Sequence, residues 1–197
     1  QSFATLDTAA KAEGFFTEQF PDVRPMMPDL TEEFLENPTG SMVTIRCKPF
    51  HHNGNVLLAG DAAHAVVPFY GQGMNASFED CFILDQLVGE FDGDWDRVLP
   101  AFSQRRKPDT DAIADLALYN YVEMRSKVAS PAFLMRKQVE QALNKWFPRA
   151  WKPLYSMVTF STMPYAEALE RANSQKRLLD RVLPERMLDL LLGGGDE

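Results

Sequence analysis

The residues whose types and spacing could support chemistry are concentrated in segment 56–81, where an aspartate ends an apolar run. Residues 56–58 read Val-Leu-Leu, a short run typical of a strand covered on both faces, and Gly60 closes it without a side chain. Asp61 then lies at the carboxyl end of the predicted strand, where open α/β sheets place their ligand groups. A carboxylate there can accept hydrogen bonds from the hydroxyls of a polyol.

A second group of residues with chemical potential begins at Gly71, where glycines precede the predicted start of a helix. Gly71 and Gly73 allow the backbone to turn tightly and to approach a flat ligand. The helix that begins near Met74 and Asn75 directs unpaired N–H groups and a partial positive charge toward that ligand. A carboxylate for a polyol hydroxyl and a helix N-terminus for a developing anion together favour a flavin site.

The elements that must position these groups are strands before the motif and helices after it. Residues 42–47 alternate as a half-buried strand does, and Asn53-Gly54 is typical of a hairpin tip. Helices are predicted over residues 9–20, 29–35, 77–91, 95–106 and 110–125, and prolines divide a mostly helical tail that ends in an amphipathic stretch, 178–192. The helix over 77–91 is expected to bury Phe78, Cys81, Phe82, Leu84 and Leu87.

Composition and charge exclude several classes of function. With 197 residues, 45% of them hydrophobic, the chain can bury one sizeable core or two small ones. The net charge of −8 argues against a nucleic-acid partner, because a protein that neutralises phosphates needs a basic face. Cys47 and Cys81 have neither the number nor the spacing of a disulfide framework or a zinc site. No run of 18 apolar residues predicts a membrane span.

Several polar residues have a structural interpretation beside a functional one. His64 stands alone between alanines, without a set of neighbouring ligands, so no metal site is expected. Glu79 and Asp80 are interpreted mainly as first-turn residues that complement the helix dipole, with a functional carboxylate pair as the alternative. On pattern alone, Asn120 and Tyr155 are ordinary buried polar groups.

The motif resembles a known family. Residues 60–64 read Gly-Asp-Ala-Ala-His, Pro68 follows, and residues 71–75 read Gly-Gln-Gly-Met-Asn. This order is similar to the second flavin motif of the flavoprotein aromatic hydroxylases, the single-component FAD monooxygenases. Three stretches resemble the branch of that family that acts on L-kynurenine; they cover residues 67–75, 119–125 and 153–161.

The resemblance implies an α/β fold, specifically the C-terminal half of an FAD-dependent aromatic hydroxylase. Residues 1–55 would form the end of the substrate-domain sheet, and residues 56–107 the last strand and helix of the FAD domain. Residues 108–197 would form a C-terminal helical domain. The implied reaction is the hydroxylation of L-kynurenine to 3-hydroxykynurenine with NADPH and oxygen, so the implied cofactors are FAD and NADPH.

The resemblance also assigns ligand-binding residues, with Asp61 on the ribityl chain and the turn before the helix on the pyrimidine edge of the flavin. The cofactor-binding residues that it implies are Gly60, Asp61, Ala62, Pro68, Gly71, Gly73, Met74 and Asn75. The substrate-binding residues that it implies are Pro68, Phe69, Tyr70, Asn120, Glu123, Met124 and Tyr155. Asn120 and Tyr155 match positions that hold the kynurenine carboxylate, and an apolar wall would exclude water. No catalytic side chain is expected, because the cofactor carries the chemistry.

The chain departs from the family pattern in one respect. The N-terminal Gly-x-Gly-x-x-Gly fingerprint, which cradles the ADP half of FAD, does not occur in these residues. The chain is therefore expected to hold half of the cofactor site, to need the missing N-terminal half of the enzyme as a partner, and to be inactive as an isolated fragment. The resemblance places a eukaryotic protein at the mitochondrial outer membrane facing the cytosol, attached through a segment outside this sequence, and any other in the cytoplasm.

Two alternative functions remain open from the sequence. One is the hydroxylation of another aromatic compound, such as a ubiquinone precursor, by an enzyme with the same flavin motif. The other belongs to a different class: a flavin-free helical interaction module that is derived from such an enzyme and performs no chemistry.

Overall fold

The computed structural model describes residues 2–184 and 187, which are mostly helical. They fall into two compact units, Gln1–Met42 and Val43–Glu197. The helices are α1 (Ala9–Gln19), α2 (Leu30–Glu36), α3 (Asp61–His64), α4 (Gly73–Glu90), α5 (Trp95–Ser126), α6 (Pro131–Trp146), α7 (Leu154–Thr159) and α8 (Tyr165–Val182). Short 3₁₀ turns cover Phe3–Thr5, Arg24–Met26 and Pro68–Tyr70. The strands β1 (His51–His52) and β2 (Val56–Leu57) form a two-stranded antiparallel sheet.

The first unit is a pair of helices held together by phenylalanine rings. The Phe16 ring meets the Phe34 ring edge-on at a centroid distance of 5.7 Å, and Phe3 stacks on Phe34 at 5.7 Å. Such aromatic contacts contribute about 0.5–1.5 kcal/mol beyond area burial. The helices predicted over 9–20 and 29–35 are confirmed as α1 and α2.

The second unit is organised around α5, which packs against α4 and α8. The sequence predicted two helices separated at Pro108, and this prediction was wrong, because α5 continues through both Pro100 and Pro108. An interior proline costs a helix about 3 kcal/mol. Phe102 and Ile113, on the two sides of Pro108, are both 0% exposed. Full burial of such side chains contributes about 1.5–3 kcal/mol each, so packing outweighs the local preference to stop.

The predicted hairpin turn before the motif is confirmed, but the predicted burial of the strand that follows it is not. His51 lies opposite Leu57 in the antiparallel pair. The turn falls at Asn53 and Gly54 as predicted, and Asn53 has a left-handed φ of 50°, which asparagine tolerates better than most residues. The expectation of a strand buried on both faces was wrong, since Val56 is 46% exposed.

The segment 42–47, predicted to be a strand, is not one in the described structure. It makes backbone bonds at alternate residues only: Ile45 N donates to Ala65 O at 2.8 Å and Cys47 N donates to Ala63 O at 3.0 Å. The accepting carbonyl groups belong to Ala63, in α3, and to Ala65, the residue directly after α3. The extended pattern was therefore recognised correctly, but the neighbouring segment is a helical turn and no ladder forms.

The helix α4 exposes much of the apolar face that the sequence assigned to the core. Leu87 is buried as predicted, and Leu84 is partly buried against the same cluster. Phe78 is 65% exposed and Phe82 is 62% exposed, and Cys81 is also exposed, so their predicted burial was wrong. Periodicity identifies an apolar face without saying which neighbour covers it, and the described residues cover only the other side of α4.

Two hydrophobic clusters fix the elements around the motif. The first joins α4, α5, α7 and α8 and contains Ala76, Ala112, Ile113, Leu116, Met157, Val158, Tyr165 and Ala168. The second joins α3, α4, α5 and the segment before β1 and contains Phe50, Ala63, Leu87, Val98 and Phe102. Both clusters include residues of α4 and α5, so these two helices provide the common frame on which the motif rests.

The predicted α/β class agrees with the structure only in coarse form, because the described residues contain helices and a single two-stranded sheet. The domain limits at residues 55 and 107 stay a prediction, although α5 continues across the second of them. Among residues 2–184 and 187, no helix has the length and apolar character that a membrane crossing requires. Residues 185, 186 and 188–192 of the predicted amphipathic stretch lie outside the described residues.

Candidate functional site

The glycine-rich motif surrounds an open cleft of about 490 Å³. The residues that line it are Asp61, Val66, Pro68, Gly71, Gly73, Met74 and Ser77. Five of the eight cofactor-binding residues predicted from the sequence are in this set. The other three, Gly60, Ala62 and Asn75, adjoin lining residues in the chain but do not line the cleft. Sequence reasoning did not name Val66 and Ser77, whose small or apolar side chains give no chemical signal.

The backbone of the turn leaves space on the cleft side. Gly71 has a φ of 67°, a left-handed conformation that L side chains rarely adopt, and a Cβ built there would meet nothing within 4 Å. A Cβ at Gly73 would meet only Val66 Cγ2, at 3.6 Å. The glycines are therefore not required by crowding within the described chain. They leave the backbone open to close approach by a flat ligand.

The N-terminus of α4 reaches the cleft with N–H groups that form no hydrogen bond among the described residues. The first backbone bond of the helix runs from Ala76 N to Gln72 O, at 2.9 Å. The N–H groups of Gly73, Met74 and Asn75 precede it, and the side chain of Gln72 does not cap them. These groups carry the partial positive charge of an 18-residue helix. An anionic or electron-rich group in the cleft would be stabilised there.

A buried amide locks the turn to the C-terminal helices. Gln72 is 5% exposed. Its Oε1 accepts a hydrogen bond from Asn75 Nδ2 at 2.8 Å and another from the Tyr165 hydroxyl, on α8, at 3.3 Å. Burial, and after it the negative charge of Glu79, raises the pKa of Tyr165 to about 12, so the hydroxyl keeps its proton. Neither Gln72 nor Tyr165 was singled out from the sequence, because their contact spans 93 positions.

Behind the cleft lies a charged cluster, defined here as Asp80, Arg106, His64 and Glu79; the first three are buried and Glu79 is half-exposed. Asp80 Oδ2 accepts hydrogen bonds from Gly60 N at 2.8 Å and from His64 Nε2 at 2.6 Å. Its Oδ1 accepts from Arg106 Nε at 2.7 Å, and Arg106 also donates to Glu79 Oε2 at 3.0 Å. His64, Asp80 and Arg106 are each at most 3% exposed.

This charged cluster corrects two expectations. Asp80 is not a first-turn residue of α4, which begins at Gly73, and its carboxylate serves the cluster and not the helix dipole. His64 is not isolated, since it donates its Nε2 proton to Asp80. Burial raises the pKa of Asp80, but hydrogen bonds from His64, Gly60 N and Arg106 outweigh it and the net pKa is lowered. Asp80 is therefore ionised at neutral pH.

The predicted substrate residues gather beside the cleft, on the 3₁₀ turn Pro68–Tyr70, α5 and α7. Asn120 Nδ2 donates to the carbonyl oxygen of Phe69 at 2.6 Å. The Tyr70 and Tyr155 rings lie 6.1 Å apart. The side chains of Pro68, Phe69, Tyr70, Asn120, Glu123, Met124 and Tyr155 are together called the substrate wall below. Pro68 belongs to both the cleft and the wall, so the two regions are continuous.

Some side chains of the substrate wall contact each other or other residues of the chain. Met124 Sδ lies 3.6 Å from Asn120 Nδ2, and Glu123 is paired with Lys137 Nζ at 3.4 Å. Burial, and after it the charge of Glu123, raises the pKa of the Tyr70 hydroxyl far above its usual range, so the hydroxyl keeps its proton at neutral pH. Tyr155 is 57% exposed, in contrast to the buried polar group that its pattern alone predicted.

Among residues 2–184 and 187, no three His, Cys, Asp or Glu side chains are placed to share a metal ion. In the charged cluster, both oxygens of Asp80 already accept hydrogen bonds, Oδ2 from His64 and Oδ1 from Arg106.

Comparison with known proteins identifies the class of the site. Residues 27–117, which include every residue that lines the cleft, match the family described as an FAD binding domain. Residues 27–117 of the chain are thus similar to an FAD-binding domain, and the resemblance stated from the sequence is confirmed at this level.

Three of the similar proteins carry the name kynurenine 3-monooxygenase. The protein of Flavobacterium psychrophilum is 47% identical over 182 residues, which are 92% of this chain and 41% of that protein. That of Myxococcus xanthus is 53% identical over 169 residues, 86% of this chain and 36% of that protein. The pig protein is 43% identical over 185 residues, 93% of this chain and 39% of that protein. The chain thus spans about two fifths of the length of the curated relatives it matches.

Proposed function

We propose that this chain supplies the isoalloxazine and substrate side of an enzyme that hydroxylates L-kynurenine to 3-hydroxykynurenine, with FAD as cofactor and NADPH as electron donor. One observation carries the proposal: a glycine-lined cleft at a helix N-terminus lies within the segment that matches an FAD-binding domain. Relatives named kynurenine 3-monooxygenase, at 43–53% identity along most of this chain, support the particular reaction.

The residues of the cleft fit a flavin. The carboxylate of Asp61 can accept hydrogen bonds from the ribityl hydroxyls, and the open backbone at Gly71 and Gly73 admits a planar ring. The free N–H groups at the start of α4 can stabilise the negative charge of a reduced flavin ring. When bound, FAD supplies the redox chemistry that activates oxygen for transfer to an aromatic ring.

The substrate wall would hold L-kynurenine against the cleft. A carboxylate needs donors, and Asn120 Nδ2 keeps one proton on the Phe69 carbonyl while its second proton faces only the weak acceptor Met124 Sδ. That second proton and the exposed hydroxyl of Tyr155 are the two donors proposed for the kynurenine carboxylate. Phe69, Met124 and the neighbouring Pro68 would exclude water from the reacting centre.

The ADP half of FAD needs residues that this sequence does not contain, because the Gly-x-Gly-x-x-Gly fingerprint is absent from it. We infer that these residues come from polypeptide outside the sequence described here, in keeping with the greater length of the relatives. An attachment to the mitochondrial outer membrane in a eukaryotic source, and a cytoplasmic location otherwise, stay predictions on the same basis.

The test uses the natural full-length protein, purified without added flavin. The proposal expects bound FAD with the absorption bands of an oxidised flavin, and NADPH oxidation that L-kynurenine stimulates and that yields 3-hydroxykynurenine by mass spectrometry. Flavin binding with stimulation by another aromatic acid, and none by L-kynurenine, would instead support a different aromatic hydroxylase. A protein that binds no FAD at all would overturn the enzymatic function and leave the interaction module.

A further inference from the structure

We propose that Asp80 is a positioning residue of the cofactor cleft, which acts by fixing the short helix α3 that carries Asp61. This inference rests on the proposed function, because Asp61 matters in this way only if the cleft binds FAD. Asp80 does not line the cleft itself. Its carboxylate reaches the site through the backbone that precedes Asp61 and through His64.

The hydrogen bonds of Asp80 Oδ2 hold both ends of α3. At the beginning, Gly60 N donates to Oδ2 at 2.8 Å, and Gly60 is the residue directly before Asp61. At the end, His64 Nε2 donates to the same oxygen at 2.6 Å. A four-residue helix is too short to be stable by itself. One buried oxygen therefore determines where the peptide of Asp61 lies.

The backbone at Gly60 makes this anchor necessary. Gly60 has a φ of 56°, which L side chains rarely adopt, and a Cβ there would meet Ser77 Oγ at 3.1 Å. The chain thus passes close to α4 in a conformation that glycine tolerates without favouring it. Gly60 lies directly before Asp61, and the backbone of a glycine changes conformation easily. The carboxylate of Asp61 is therefore free to move unless the N–H group of Gly60 is held in place. The carboxylate of Asp80 provides that restraint.

The other oxygen of Asp80 connects this carboxylate to α5, the helix that carries Arg106. Oδ1 accepts from Arg106 Nε at 2.7 Å, and Arg106 Nη2 donates to the carbonyl oxygen of Ala76 on α4 at 3.1 Å. Each oxygen of the carboxylate therefore has a separate role, since Oδ1 binds α5 and Oδ2 binds α3. The position of Asp61 relative to the N-terminus of α4 is determined through this one side chain.

The variant Asp80→Asn tests the division between the two oxygens. An amide offers one acceptor oxygen where the carboxylate offers two, so its NH₂ group must face donors, either Gly60 N–H together with His64 Nε2 or Arg106 Nε. Volume and shape are nearly unchanged. We expect the dissociation constant for FAD to rise by about 10- to 100-fold, by analogy with the loss of affinity when a residue that orients a metal ligand is removed. The visible absorption bands of residual bound flavin should also shift.

Two control variants separate positioning from loss of stability. Asp85→Asn makes the same chemical change on an exposed position of α4 and should leave FAD affinity within twofold. Leu179→Ala removes a buried side chain near the end of α8, roughly 21 Å along the helix from Tyr165 at 1.5 Å per residue. It should lower the melting temperature while FAD affinity, measured well below that temperature, stays within twofold.

The experiment titrates the deflavinated natural full-length protein with FAD and follows flavin fluorescence. If the unsubstituted protein binds no FAD, the proposed function fails, and this inference fails with it. If it binds FAD and Asp80→Asn binds equally well, only the positioning role is overturned. The same conclusion holds if Leu179→Ala loses as much FAD affinity as Asp80→Asn at an equal loss of melting temperature, because stability alone then explains the effect.

Discussion

The start of α8 is capped by a residue on α5, and removing that cap gives a measurable loss of stability. Asp109 Oδ1 accepts a hydrogen bond from Ala166 N, in the first turn of α8, at 2.9 Å. The residue at the N-cap of α8 is Pro164, whose side chain makes no capping bond. The side chain of Asp109 is 19% exposed and lies 3.8 Å from Arg106. The variant Asp109→Ala removes all of these contacts.

The magnitude follows from the type of bond. Loss of an N-cap acceptor costs about 0.5–2 kcal/mol, and a hydrogen bond to a charged group contributes about 1.5–3 kcal/mol. Since Asp109 is partly exposed and its pair with Arg106 is long, we expect Asp109→Ala to lower the free energy of unfolding by about 1–2 kcal/mol.

The matched control is Asp111→Ala, two residues further along α5. Asp111 forms an i,i+4 pair with Lys107 at 2.5 Å, and its side chain is 39% exposed, so its loss should cost about 0.5 kcal/mol or less. Both substitutions place alanine in the same helix, and the gain in helix propensity cancels between them. A second variant, Asp109→Asn, keeps an acceptor oxygen and should recover more than half of the loss.

The assay is urea denaturation of the natural full-length protein, followed by circular dichroism at 222 nm. Asp109→Ala should unfold at lower urea with an unchanged slope, since the surface exposed on unfolding is the same. If Asp109→Ala and Asp111→Ala differ by less than about 0.5 kcal/mol, the cap contributes nothing and the reasoning is refuted. Equal losses in Asp109→Ala and Asp109→Asn would show that the charge matters and the capping bond does not.

Three further predictions concern the cleft and the substrate wall. Asp61→Ala should raise the dissociation constant for FAD by about tenfold or more, because charged hydrogen bonds to the polyol are lost; unchanged flavin fluorescence titrations would contradict it. Tyr155→Phe should raise KM for L-kynurenine by about tenfold with FAD retained, and equal loss of flavin in both variants would count against their separate roles. Tyr165→Phe should lower the free energy of unfolding in urea by about 0.5–1.5 kcal/mol, through the bond to Gln72; no change would show that this 3.3 Å contact is not stabilising.

The features that the sequence predicted well are local ones. The hairpin tip at Asn53 and Gly54, and the start of α4 at Gly73, depend on backbone preferences within a few residues. The proline boundaries of the tail are of the same kind, and α6 begins at Pro131 as such a preference requires. Propensity, capping and turn chemistry are readable from neighbouring letters, so these elements could be located without any knowledge of the fold.

The features that could not be predicted from the sequence depend on contacts between residues that lie far apart along the chain. The bond between Gly60 and Asp80 spans 20 positions, and that between Asp80 and Arg106 spans 26. Near the end of a predicted helix, Arg106 has a sufficient local explanation as a dipole-compensating cation, and nothing in its neighbours indicates a buried partner. The burial of Phe78 failed for a related reason, since an apolar helical face is the same pattern whether or not another segment covers it.

Because α5 is one continuous helix, a rotation about one of its residues displaces the residues further along it. Arg106 supports the cofactor cleft at one point of this helix, and Asn120 carries the substrate wall 14 residues further on, roughly 21 Å away at 1.5 Å per residue. A rotation of the helix by about 3° around Arg106 would displace Asn120 by about 1 Å, and misplacement on that scale can cost about 100-fold in rate. In the proposed enzyme, this one helix would relate the position of the flavin to that of the substrate, and Pro108 lies between the two contact points.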